Sequence, residues 1–124
     1  DGGKSWVVAL KDSSNSSIFF GKSFVYGADH QRFFRSSDRG KTWVTKDIGP
    51  ELWKFSVLPS NERVIYATSF NNKLFKSEDG GNTWCEIKLP IAFDQYDVLV
   101  DLLVHEPSGK VFLATTKGLV VLPL

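Results

Sequence analysis

The apolar positions of this chain fall in short runs separated by polar stretches rich in Gly, Pro, Asn and Ser, and none carries a helical period over a useful length. In order, the runs predict strands at 6–10, 18–20, 24–28, 32–36, 42–45, 52–58, 64–68, 73–76, 83–89, 98–104, 111–115 and 119–122. Between them stand reversal signals: Gly21-Lys22, Gly49-Pro50, Pro59-Ser60-Asn61, Asn71-Asn72, Ser108-Gly109 and Lys117-Gly118. The run 98–104 is apolar almost throughout, which predicts a strand buried on both faces. Cys85 alternates with Trp84 on an outer strand and is expected to pack as a small hydrophobe. Ten Phe, no Met and many β-branched residues agree with an all-β class.

One polar stretch recurs. Ser36-Ser37-Asp38-Arg39-Gly40-Lys41-Thr42-Trp43 and Ser77-Glu78-Asp79-Gly80-Gly81-Asn82-Thr83-Trp84 share the skeleton Ser-x-Asp-x-Gly-x-Thr-Trp. A clipped copy, Asp1-Gly2-Gly3-Lys4-Ser5-Trp6, opens the chain. The tryptophans stand 37 and 41 residues apart (6 to 43, 43 to 84), a spacing in the range of propeller blades. Each residue type suits a hairpin turn. Asp accepts hydrogen bonds from backbone N–H groups ahead of it, Ser adds a hydroxyl, Gly offers positive φ, and Trp packs over the reversal. Ser36, Asp38, Gly40 and Trp43, with Ser77, Asp79, Gly81 and Trp84, are therefore expected to be structural. A calcium loop of the EF-hand kind needs further oxygen ligands and a distal Glu, which neither copy has.

The skeleton resembles the Asp-box, or bacterial neuraminidase repeat, found in sialidases, some endoglucanases, sortilin-type receptors and photosystem assembly factors. The resemblance implies a β-propeller with blades of four antiparallel strands. It places the octet between the third and fourth strands, away from the functional face, and it implies an extracellular or secretory setting. Enzymes and binding proteins both use the repeat, so it names no activity. The chain is expected to be one propeller segment, 1–124, with repeats at approximately 5–41, 42–82 and 83–124. Its third unit has three strands, and the run at 6–10 offers a lone outer strand. Three blades fall below the four to eight of closed rings. The expectation is a piece of a longer propeller with missing blades, or a homodimer whose two copies exchange termini into a six-bladed ring.

Composition narrows the partners. A formal charge of +1 gives no reason to invoke nucleic acid. No apolar run approaches the ~20 residues of a spanning helix, so membrane insertion is not expected. Cys85 is the single cysteine, which excludes an internal disulfide. Asn15-Ser16-Ser17 is a glycosylation sequon. His30 and His105 lack neighbours at metal-ligand spacing, so neither metal nor cofactor is expected.

The functional face of a propeller lies opposite the octet turns. Candidate ligand-binding residues there are Trp53, Phe93, Tyr96, His30, Arg32, Asn71 and Lys117, with Trp53, Phe93 and Tyr96 forming a platform for a sugar ring or peptide. The other reading of Trp53 is a plug between blades. Asp94 and Asp97 are the candidate catalytic acids, since a glycosidase needs two carboxyls about 5–10 Å apart. Asp97 and Asp101 would stand roughly 13 Å apart along a strand. Arg32 and Arg35 should face opposite sides of theirs, and the Arg-Ile-Pro signature of sialidases is absent. The function read from these residues is a non-catalytic binding or assembly module for a protein, peptide or carbohydrate. The alternative is a glycoside hydrolase, sialidase- or endoglucanase-like, or a fragment of one.

Overall fold

The computed structural model describes residues 2, 3, 5, 17–29, 32–47 and 51–124. The strand predicted at 6–10, the clipped octet as a unit, the sequon at Asn15 and the candidate His30 lie outside these residues. Three antiparallel sheets follow one another along the chain. The first is β1 (Ser17–Phe20), β2 (Val25–Ala28), β3 (Arg32–Ser36) and β4 (Val44–Asp47), paired in that order. The second repeats the order with β5 (Leu52–Leu58), β6 (Asn61–Ser69), β7 (Leu74–Ser77) and β8 (Cys85–Ile87). The third holds β9 (Leu99–His105), β10 (Lys110–Thr115) and β11 (Gly118–Pro123), with a 3-10 turn at Glu106–Ser108. β6 starts three residues before the predicted strand because Pro59-Ser60 reverses the chain tightly and Asn61 already pairs with Leu58.

The register makes the sheets equivalent. Tyr26 pairs with Phe19 and Arg35, Tyr66 with Ser56 and Lys76, and Phe112 with Leu103 and Val121. Alternation along each strand then gives each sheet two faces, and the faces stack. Tyr26, Ala28 and Phe33 of the first sheet meet Phe55, Val57, Ile65 and Ala67 of the second in one core. Tyr66 and Leu74, on the other face of the second sheet, meet Leu102, Val104, Val111 and Leu113 of the third in another. These are propeller blades, each packed on the next in the chain. β9 does not bury both faces as predicted. Leu99, Leu102 and Val104 are buried, whereas Val100 and Leu103 are exposed. Among the described residues only one face of the third sheet has a neighbour, and a bulge opposite Ala114 and Thr115 shifts the register at Val100. Cys85 is exposed rather than packed, because it sits on the short outer strand β8 opposite Lys76.

Both octets close a third-to-fourth-strand hairpin through the same bonds. Ser36 Oγ accepts the Gly40 N–H at 2.7 Å, and Ser77 Oγ accepts that of Gly81 at 2.8 Å. One carboxylate oxygen of Asp38 accepts the Thr42 N–H at 2.8 Å and the other the Thr42 hydroxyl at 2.5 Å. Asp79 binds Thr83 in the same way at 2.9 and 2.6 Å. Each indole N–H donates to the glycine carbonyl, Trp43 to Gly40 and Trp84 to Gly81, at 3.1 Å. Gly40 and Gly81 have φ of +86° and +89°, and residue 39 is also left-handed, an Arg at φ +62° where the second octet has Gly80 at +74°.

The seams between sheets are reinforced at the octet end. Glu62, in the β5–β6 hairpin, accepts the N–H groups of Lys22 and Ser23 from the first sheet. Glu106, at the equivalent turn of the third sheet, accepts the N–H and hydroxyl of Ser60. The second octet also lies on the first sheet. A Cβ at Gly81 would stand 2.0 Å from the Phe33 ring, and Trp84 meets Phe33 edge-on at 5.5 Å between centroids.

Two outcomes follow from this packing. Gly81→Ala should destabilise the chain by at least ~2 kcal/mol, from backbone strain and collision with Phe33. Phe33→Leu, which installs the residue found at the equivalent Leu74, should relieve part of that cost; a double-mutant cycle by urea unfolding with no coupling would contradict the contact. The hydroxyl and N–H of Thr42 and Thr83 hold the Asp38 and Asp79 carboxyls down to about 2, against an ordinary 3.8. Depressed carboxyls stabilise the fold above pH 3.8, and that contribution is lost as pH falls towards 2. Stability measured across that window should drop in the wild type and drop less in a Thr42→Val, Thr83→Val double variant.

Candidate functional site

In a meander of four strands the turns after the first and third strands share one end, and the loops after the second and fourth share the other. The octets and glutamate clamps therefore occupy one end. The opposite end gathers Asp29, the segment around Glu51, the turn Phe70–Lys73, the connection 88–98 and Thr116-Lys117.

Trp53, the second residue of β5, stacks on Phe70, with centroids 5.2 Å apart and planes 8° from parallel. The backbone fixes this pair: Phe70 N–H donates to the Glu51 carbonyl at 3.3 Å, joining the strand ends that carry the two rings. Lys54 Nζ lies 5.6 Å from the Trp53 centroid, a cation over an aromatic ring. Trp53 is partly buried and Phe70 is half exposed. The predicted platform of Trp53, Phe93 and Tyr96 is thus not the one formed. Phe93 packs into the core between the second and third sheets, and Tyr96 is 81% exposed. Trp53 takes Phe70 as its partner because the β5 start and the β6–β7 turn are adjacent in the sheet, whereas 93 and 96 belong to the next connection. The order of predicted strands already puts the turn Phe70-Asn71-Asn72-Lys73 on the functional face, but nothing in the sequence pairs Phe70 with Trp53.

The candidate acids are engaged in their loop. Asp97 accepts the Asp94 N–H at 2.8 Å, faces Lys117 Nζ at 3.0 Å and accepts the Thr116 hydroxyl at 3.2 Å. The Asp94 N–H, with Lys117 and Thr116 behind it, holds the Asp97 carboxyl below the usual carboxylate range. Asp94 accepts the Tyr96 N–H at 2.8 Å, as an Asp that opens a turn does. β9 begins at Leu99, so Asp97 lies in the loop and does not share a strand with Asp101. Lys117 also donates to the Ala92 carbonyl at 2.8 Å and ties the loop to β10–β11.

The remaining candidates are separate from the aromatic pair in their bonding. Arg32 grips the buried Asp29 through two nitrogens at 2.7 and 3.0 Å, and its N–H donates to the same carboxylate at 2.8 Å. Asn71 accepts the Ser69 hydroxyl inside the β6–β7 turn. Asn72, in the same turn, joins two blades. At φ +62° it donates to the Asp97 carbonyl at 2.8 Å and accepts the Leu99 N–H at 2.7 Å. Its sequence signal was the left-handed preference of Asn in a tight turn. Among the described residues no group of three or more His, Cys, Asp or Glu is placed to hold a metal ion, and no helix is long and apolar enough to cross a membrane.

Stacked antiparallel sheets of one meander order, two of four strands and one of three, define a β-propeller. The chain belongs to the Sortilin-Vps10 family, whose model, described as sortilin, neurotensin receptor 3, matches residues 31–120. Fifteen chains of solved structures match it. One, described as YCF48 bound to D1 peptide, is 11% identical with a TM-score of 0.60 over 89% of this chain and 41% of that one. The chain thus spans about two-fifths of that structure's length. No curated protein matches.

The Asn72 bridge gives a direct expectation. Asn72→Gly keeps the left-handed backbone but removes both inter-blade bonds, and should cost about 1–3 kcal/mol. Hydrogen exchange at the Leu99 amide should rise more than at the Tyr66 amide; equal changes at both would mean that the side chain does not join the blades.

Proposed function

We propose that this chain is a non-catalytic binding module that presents the loop end of its blades to a protein or peptide. The observation that carries this reading is the Trp53–Phe70 stack, set on rigid strand ends with Lys54 beside it. Aromatic side chains held by backbone bonds give a partner apolar area at little entropic cost, and they dominate the energetics of many interfaces. The structural neighbour YCF48 supports the reading, since it carries the same fold and its structure holds a peptide. Membership of the Sortilin-Vps10 family supports it as well. The two octets, with their shared hydrogen bonds and tryptophans, are read as Asp-boxes. Residues 1–124 are read as one propeller segment with repeats at approximately 5–41, 42–82 and 83–124.

A carbohydrate is a second occupant for the same stack, because a sugar ring also packs on an aromatic face. Glycoside hydrolysis finds no comparable support. A general acid needs a carboxyl held above its usual range, whereas Asp97 is held below it.

The test is a selection of short random peptides displayed on phage against the chain, with an array of immobilised glycans screened in parallel. Selected peptides should lose at least tenfold in affinity, measured by calorimetry, on Trp53→Ala, and retain it on Lys41→Ala, an exposed position at the octet end. Binding that ignores Trp53 would sink the proposed face. Binding to glycans alone, abolished by Trp53→Ala, would keep the face and replace the ligand.

A further inference from the structure

An irregularity in the second sheet, the one covered on both faces, sets the geometry around Trp53. Leu52 pairs with Ser69 and Phe55 with Ala67, so Trp53 and Lys54 stand together opposite Thr68 alone. Two residues against one is a β-bulge, which bends its strand and re-aims the side chains it carries. In regular alternation neighbouring residues face opposite sides of a sheet. Here Leu52 and Phe55, three apart, both enter the core shared with the first sheet. The two residues between them are turned to one side together, and Lys54 Nζ comes to 5.6 Å from the Trp53 centroid. Phe70 stacks on the same indole at 5.2 Å. The bulge thus makes one unit of an aromatic pair and a cation.

Charge sets Lys54 apart from three other cations of this end. Arg32 holds Asp29 at 2.7 Å, Lys73 holds Glu86 at 2.8 Å and Lys117 holds Asp97 at 3.0 Å. Lys54 is partly buried, and among the described residues it has no carboxylate partner. An ammonium carries three donors, so contact with a ring leaves N–H groups for an acceptor. An aromatic surface beside an unneutralised cation is complementary to an apolar side chain beside a carboxylate. The backbone narrows the source of that carboxylate. A chain terminus is usually captured by a nest of free N–H groups, whereas those of Phe70, Asn72 and Lys73 are already engaged by Glu51 and Ser69. Lys54 offers a point charge, which an Asp or Glu side chain satisfies.

We infer that the partner is an extended peptide segment with an Asp or Glu two positions from an aromatic or large aliphatic residue. Side chains two apart on an extended chain share one side and stand about 7 Å apart, a span suited to a cation and a ring that both adjoin Trp53. The apolar side chain packs on the half-exposed Phe70 ring and the indole, and the carboxylate takes the Lys54 ammonium. This selectivity rests on the binding face proposed above and adds to it the residue that chooses among peptides.

The probe is a library of random heptapeptides displayed on phage with their C-termini fused to the coat protein, panned on the chain at low salt. Retained sequences should be enriched in Asp or Glu two positions from Phe, Tyr, Trp, Leu or Ile. Synthesised with blocked ends, they should lose about fivefold in affinity on Lys54→Gln, the scale of one partly exposed ion pair, and keep it on Lys54→Arg. Replacing the peptide's acid by its amide leaves the protein unaltered and should cost the same; against Lys54→Gln it should cost nothing further. Panning on Lys54→Glu should turn the enrichment from acids to Lys and Arg. Peptides that lose binding on Trp53→Ala but are indifferent to Lys54→Gln and Lys54→Glu overturn the inference and leave the face standing. Peptides that ignore Trp53 as well overturn both. Binding that needs a free C-terminal carboxylate, retention of acidic glycans without any peptide, or no retention at all overturns the inference equally.

Discussion

The ring of Phe33 lies against the backbone of Gly81, where the missing side chain lets two sheets approach closely. Much of the molecule depends on that approach. A four-stranded sheet with apolar residues on both faces cannot stand alone in water, and burial of apolar area is the main favourable term available to it. Phe33 draws Trp84 and Phe55 around itself and joins Tyr26 in the same core. The second seam uses smaller side chains, Leu74 against Leu102, Val104 and Leu113. Stacking is thus a property of the faces, repeated from blade to blade.

The octets contribute in a different way. Their bonds are local, from side chains to side-chain and backbone groups two to four residues ahead, and they determine where the third strand turns back into the fourth. Because the turn is closed from within, its outer surface can press on the neighbouring sheet, as Gly80 does on Arg35 and Gly81 on Phe33. Glu62 and Glu106 add carboxylate clamps across the same seams. The octet end is therefore devoted to holding blades together. The loops at the other end carry none of these repeated octet bonds, in keeping with a division between a scaffold and the surface it carries.

The loop end is not slack. Asn72 bridges the second and third blades, and Asp97 organises the connection between them through Asp94, Thr116 and Lys117. The residues that looked like chemistry in isolation are engaged in local bonding: two aspartates fix a loop and Arg32 neutralises a buried Asp29. The Trp53–Phe70 pair stands at the same end, held by a backbone bond and flanked by Lys54, and is the surface proposed to meet a partner.

Local rules made the strands and octet turns legible in the amino-acid order. Alternation, Gly and Pro punctuation and the Ser-x-Asp-x-Gly-x-Thr-Trp skeleton each act within a few residues, so they can be read without knowing what lies beside them. β5 appears where its apolar run predicts it, Leu52–Leu58, and both octets form the bonds their residue types suggest. Contacts between elements were not legible, because they depend on which faces meet. The partner of Trp53 is Phe70 rather than Phe93 or Tyr96. Glu62 and Glu106 clamp turns 39 and 46 residues away, from Ser23 to Glu62 and from Ser60 to Glu106. β9 is buried on one side only, although its composition would suit burial on both. A run of apolar residues states that a strand must be covered. Which of its faces is covered, and by what, was decided only when the sheets stacked.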